Sequence, residues 1–197
     1  MEVKIRRARD SDARQLAVLR NMADVRRFQP MIPIPASMLR RRLRQEGATS
    51  LDEERGHALT WMVIADGETA GWVSLRNIDW FSHSASLGFS VAPWAQGKGV
   101  AHTAVSAVLD LAFGPGRMQR IEADCDIDNE RSQRLLERLG FQREGTLRAF
   151  ARMPGGRRDF YLYSLLADEW GPGAKSAPAP GTPSDRPTKG GPQRGAP

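Results

Sequence analysis

The chain is poor in the residues that build covalent staples and metal centres: one cysteine and three histidines in 197 residues. A lone Cys125 cannot close an internal disulfide. With only His57, His83 and His102 beside it, no metal cluster is expected. Aromatic residues reach only 7%. Long apolar runs are missing too, since the most weakly charged stretches, such as 77–96, carry Ser, His, Asp and Pro and fall short of a lipid-spanning segment. The opening Met1-Glu2-Val3-Lys4-Ile5 has no apolar core behind a basic head, so no secretory signal is expected. A reducing cytoplasm is the default compartment, with no membrane partner. The balance of 40% apolar and 26% charged residues excludes a collagen-like, coiled-coil or wholly disordered chain.

The net charge of +6 is unevenly placed. Half of it falls in 171–197, where Lys175, Arg186, Lys189 and Arg194 outnumber Asp185. That segment holds seven prolines and six glycines in 27 residues, and no Val, Ile, Leu, Phe, Trp or Tyr. Such a composition buries too little to offset the entropy of ordering it, so 171–197 reads as a disordered basic tail behind one folded unit over 1–170. Nucleic-acid binding requires phosphate-neutralising patches. Arg40-Arg41-Arg42-Leu43-Arg44 is the one candidate inside the folded unit and reads as a solvated helix face, so nucleic acid is disfavoured as a partner.

Periodicity supplies an element order. Strands are expected over 3–7, 61–65, 70–76, 84–91, 120–127, 141–149 and 160–166, with Asp66-Gly67 as a hairpin turn and Pro154-Gly155-Gly156 as another. Helices are expected from Asp10 or Ser11 through Leu16, Leu19, Met22 and Ala23, from Ser37 through Leu43, from Gly99 to Phe113, and from Asp128 or Asn129 to Gly140. The proline-broken loop 28–35 joins the first two helices. A helix between consecutive strands twice in the second half predicts parallel pairing there.

The most informative stretch is Val91-Ala92-Pro93-Trp94-Ala95-Gln96-Gly97-Lys98-Gly99-Val100-Ala101, where a strand ends and a helix begins. The first turn of a helix leaves N–H groups unpaired and carries partial positive charge, and glycines let that backbone approach a bulky anion. The turn is suited to a pyrophosphate, with Lys98 adding a charge. It is neither a Walker motif nor a dinucleotide GxGxxG, because no Gly-Lys-Ser/Thr follows and His102 stands at the third glycine's place.

The spacing Gln96-x-x-Gly99-x-Ala101 resembles the (Gln/Arg)-x-x-Gly-x-(Gly/Ala) signature of the GCN5-related N-acetyltransferases, with Val91-x-Pro93 ahead of it. Some thirty residues on, 129–132 and 136–145 resemble that family's second segment, and 158–166 resembles the last strand of the branch that acetylates ribosomal-protein N-termini. The resemblance runs over residues 3–167. It implies an α/β (α+β) fold: a mixed central sheet of about seven strands, splayed between strands four and five, with about four flanking helices. It implies acetyl-CoA as co-substrate, no metal, and direct transfer to a primary amine, either a peptide or protein N-terminus or a small molecule. A homodimer is left open.

By position in the family, backbone groups near Phe89 and Val91 would bond the pantetheine arm, with Asn129 opposite. Gln96, Gly97, Lys98, Gly99, Val100, Ala101 and His102 would hold the pyrophosphate. Ser132 would act on the departing thiolate, or else bond only backbone in its helix's first turn. Tyr163 is the other catalytic candidate; a core tyrosine is the preferred reading of it and of Tyr161. Cys125 reads as a buried core thiol. Phe28, Trp80, His83 and Ser86 fall on the acceptor side.

The proton acceptor departs from the pattern. Relatives carry Glu where Ala85-Ser86-Leu87-Gly88-Phe89 has Ser86, and acid is missing from His102-Thr103-Ala104. His83, one of Glu122, Asp124 and Asp126, or a water chain remain open. The competing reading is a non-catalytic acyl-CoA-binding module.

Overall fold

The computed structural model describes residues 1–29, 33–46 and 50–171. The expected tail lies outside them from residue 172 on, as does the middle of the 28–35 loop. Seven strands form one sheet in the order β1-β2-β3-β4-β5-β7-β6. These are β1 (Val3–Arg7), β2 (Ala58–Ala65), β3 (Glu68–Asp79), β4 (Ser84–Val91), β5 (Arg120–Asp126), β6 (Gln142–Met153) and β7 (Gly156–Leu166). Asp66 and Gly67 both take positive φ, the geometry that matches a two-residue turn to the twist of its strands, and they join β2 to β3.

Strand alternation divides the apolar residues between two faces. Helices α1 (Ala13–Asn21) and α3 (Ala36–Gln45) bring Leu16, Leu19 and Leu39 against Met62 and Trp72. On the other face, α4 (Val100–Phe113) and α5 (Glu130–Arg138) bury Val105, Leu109 and Leu136 with Leu75 and Ile121. Each such aliphatic side chain, fully removed from water, stabilises the fold by about 1.5–3 kcal/mol.

Three local expectations are corrected. Neither Asp10 nor Ser11 caps the first helix. Asp12 does the anchoring: its carboxylate accepts from the Arg9 N–H at 2.7 Å and from both terminal nitrogens of Arg6. That helix also breaks at Met22, whose ψ of 135° is extended, before the single turn α2 (Ala23–Arg26). Pro35 precedes α3, so Ser37 sits inside its first turn. Asn129 does cap α5.

Among the described residues, parallel pairing occurs once. β4 and β5 pair parallel, as the intervening α4 requires, but β5 and β6 are not neighbours. β7 returns through the turn after Met153 and takes the slot beside β5, leaving β6 at the edge.

Candidate functional site

The parallel pairing of β4 with β5 covers only Ser84–Ser86 against Arg120–Glu122. From Leu87 onward the two strands part, so backbone groups on β4 lose their sheet partners on that side. Two side-chain amides take up carbonyls there. Gln29 Nε2 donates to the Phe89 carbonyl at 2.9 Å, and Gln96 Nε2 to the Val91 carbonyl at 3.2 Å. Both carbonyls thus point away from β3, and in an antiparallel strand the N–H of each residue points to the same side as its C=O. The gap is a slot with donors on one wall.

The turn at the mouth of the slot is open. Gly97 and Gly99 take φ of 73° and 79°, and a Cβ built on either would meet nothing within 4 Å. Gly99 also ends the approach to α4: its carbonyl accepts from the Thr103 N–H at 3.0 Å. The N–H groups of Val100, Ala101 and His102 precede that bond, in the first turn where helical partners are lacking. Lys98 is exposed, His102 half-buried and Val100 buried beneath the turn. Gln96 is already engaged, since its Oε1 accepts from Arg131 at 2.8 Å while its amide holds Val91. It ties β4, the turn and α5 together. Donors, open space and a helix N-terminus fit a phosphate-bearing group such as coenzyme A.

Asn129 and Ser132 stand on the far wall. The Asn129 Oδ1 accepts from the Ser132 backbone N–H at 3.2 Å, so the cap leaves the Ser132 hydroxyl free of that duty. Cys125 is buried, and burial pushes its thiol up to about 11 against the pull of the Ser132 hydroxyl. Tyr163 is fully buried on the core face and donates to Glu137 at 3.3 Å. Burial and that carboxylate push its phenol up to about 12.

A cavity of about 670 Å³ runs from the α1–α3 face to Asn129 and Ser132. Phe28 lines it, stacked under Arg27. The structure does not bring Tyr163, Trp80, His83 or Ser86 to it. The last three belong to the turn and the strand start where β4 and β5 are still paired, the closed end of the slot. Trp80 instead donates to the Gly56 carbonyl at 2.7 Å, and Ser86 accepts from Asn77 at 3.4 Å.

Of the three β5 carboxylates, Glu122 pairs with Arg120, and Asp126, fully buried, pairs with Arg158. Asp124 remains, half-buried in the cavity wall 4.0 Å from Arg76, and burial raises its carboxyl above the ordinary range. Arg20, Trp72 and Arg76, which pattern alone did not single out, also line the cavity. Strand alternation from Trp72 through Ser74 to Arg76 is the signal that could have grouped two of them.

A mixed sheet split between two parallel strands, with an open glycine turn and a helix N-terminus beside the split, defines the fold class. A family model described as "Acetyltransferase (GNAT) domain" matches residues 2–142. The chain belongs to that family. It is 35% identical to the [Ribosomal protein uS5]-alanine N-acetyltransferase of Escherichia coli over 91 residues, 46% of this chain and 47% of that one. It is 30% identical to the spermidine N(1)-acetyltransferase of the same organism over 145 residues, 74% of this chain and 75% of that one. Three more curated bacterial N-acetyltransferases are covered over 59%, 66% and 64% of their length, so the chain spans less than two thirds of those relatives. Among solved structures, Mycobacterium smegmatis RimJ in complex with CoA-disulfide superposes with a TM-score of 0.74 at 26% identity, over 85% of this chain and 83% of that one.

Proposed function

We propose that the protein is an acetyl-CoA-dependent N-acetyltransferase that moves an acetyl group directly to a primary amine in a ternary complex. The observation that carries this reading is the stretch of β4 left unpaired by β5, which lines one cavity together with Asp124 and Ser132. When bound, acetyl-CoA supplies an activated thioester. The N–H groups of the 97–102 turn hold its diphosphate, and those of Phe89 and Val91 its pantetheine arm and the thioester oxygen.

Asp124 takes a proton from the incoming ammonium, a task suited to a carboxyl raised by burial. Ser132 donates its proton to the departing sulfur as the carbon–sulfur bond breaks, and the second proton shed by the newly acylated nitrogen restores the hydroxyl. The amine acceptor is supported by relatives named for ribosomal-protein alanine and for spermidine. A catalytic unit over 1–170 completes the reading, in a cytoplasmic location consistent with one unpaired cysteine.

The test is release of free CoA thiol from acetyl-CoA with a panel of peptides and small amines. Binding of acetyl-CoA with no thiol released on any amine would leave a non-catalytic acyl-CoA module instead.

A further inference from the structure

The acceptor side of the cavity carries opposite charge on its two walls. On β5 stand Asp124 and Asp126; Arg158 holds the Oδ1 of Asp126 at 3.1 Å, while its Oδ2 is buried with no hydrogen-bond partner among the described residues. Facing them are three arginines from three elements: Arg20 on α1, Arg42 on α3 and Arg76 on β3. Arg76 lies across β4 because residue 88 is glycine; a Cβ there would stand 3.2 Å from its guanidinium. Its acidic neighbour is Asp124, at 4.0 Å.

Arg20 is the most telling of the three. Its guanidinium sits 5.4 Å over the buried Trp72 ring, and its Nε is buried with no hydrogen-bond partner among the described residues. Burial, and then the like charges of Arg42 and Arg76, pull it down to about 10. A desolvated guanidinium beside two others is costly unless an anion joins it. No protein carboxylate among the described residues pairs with Arg20 or Arg42. The planar fork of an arginine suits a carboxylate or phosphate.

We infer that the acceptor bears an anionic group close to its amine: the ammonium faces the β5 carboxylates and the anion joins Arg20, Arg42 and Arg76. The inference rests on the amine-acceptor reading above and narrows it. An acidic residue next to a peptide's N-terminus and the carboxylate of a small amino acid share this chemistry. A polyamine does not, and like charge excludes it.

The test pairs binding with turnover on the full-length protein. Three peptides differing only at the second residue (Asp, Ala or Lys) are titrated calorimetrically in saturating CoA, then assayed with acetyl-CoA beside free glutamate and spermidine. The Asp peptide should bind about tenfold more tightly than the Ala peptide, and the Lys peptide and spermidine more weakly still. Glutamate binding as well as the Asp peptide assigns the small-molecule source; the Asp peptide alone assigns the polypeptide.

Arg20→Gln and Arg76→Gln should each erase most of the preference through KM. Arg42→Glu, at the exposed mouth where folding is not at stake, should tilt it toward the Lys peptide. Charge-selected binding without thiol release would support this inference while sinking the catalytic reading. Equal binding of the three peptides, or a preference for Lys or spermidine, would overturn the inference and leave that reading intact.

Discussion

Asp124 and Arg76 face each other at 4.0 Å across the slot where β4 and β5 part. Burial raises the Asp124 carboxyl, and Arg76 opposes the rise. A proton acceptor works only when ionised, so activity should fall as pH drops through its raised pKa. Removing Arg76 lets that pKa climb further. Asp124→Asn should lower kcat about 10²–10⁴-fold. Arg76→Gln should keep kcat at high pH while moving the acid limb of kcat/KM to higher pH. A limb that stays put in Arg76→Gln, or full activity in Asp124→Asn, would take Asp124 out of the reaction.

Gly99 separates binding from folding. Its φ of 79° lies in the left-handed region, so Gly99→Ala costs about 1–2 kcal/mol of stability. A Cβ there meets nothing within 4 Å, so no clash adds to that strain. Gly99→Glu puts a carboxylate where the diphosphate is proposed to sit, and CoA affinity should fall well beyond what Gly99→Ala loses. Calorimetry with CoA beside thermal melts of both variants reads the difference; equal affinity in the two would move the diphosphate elsewhere.

The strands and the glycine turn were legible because their signals are local. Alternation gave β1 and β4 to the residue, and the spacing of Gln96, Gly99 and Ala101 marked the helix start. The place of β7 between β5 and β6 was not, because a hairpin's local pattern does not say which of its strands docks. The Arg40–Arg44 run illustrates the same limit. Read as one solvated face, it is divided by the helix: Arg44 pairs with Asp10 at 2.8 Å, while Arg42 lines the cavity. Arg20 and Arg76 are 56 positions apart and meet only through the fold. Asp124 was one of three alternating acids, and only the partners of Glu122 and Asp126 single it out.

Ser132 and Tyr163 should behave differently when their hydroxyls are removed. Ser132→Ala leaves the α5 cap intact, because Asn129 accepts from the Ser132 backbone N–H. Turnover should fall while CoA affinity and melting temperature hold. Tyr163→Phe loses one partly buried hydrogen bond to Glu137, so stability should fall by about 0.5–1.5 kcal/mol while turnover is retained. Unchanged kcat in Ser132→Ala would remove it from the mechanism, and a large kcat loss in Tyr163→Phe would bring that phenol into it.

Glu144 ties acid stability to the far end of the sheet. Arg120 grips it with two hydrogen bonds of 2.8 and 2.7 Å, Ser164 donates a third at 2.6 Å, and its carboxyl falls from 4.5 to about 2. A carboxyl lowered on folding stabilises the native state fully above its ordinary value. That contribution fades as pH falls from about 4.5 toward about 2. Glu144→Gln, which cannot titrate, should be less stable than wild type at neutral pH, and the two should converge in this acid window. The pair is partly solvated, so salt should narrow the neutral-pH difference. Denaturant melts at pH 7, 4 and 2.5 measure it; a gap that stays constant across all three would assign the role of Glu144 to packing instead of charge.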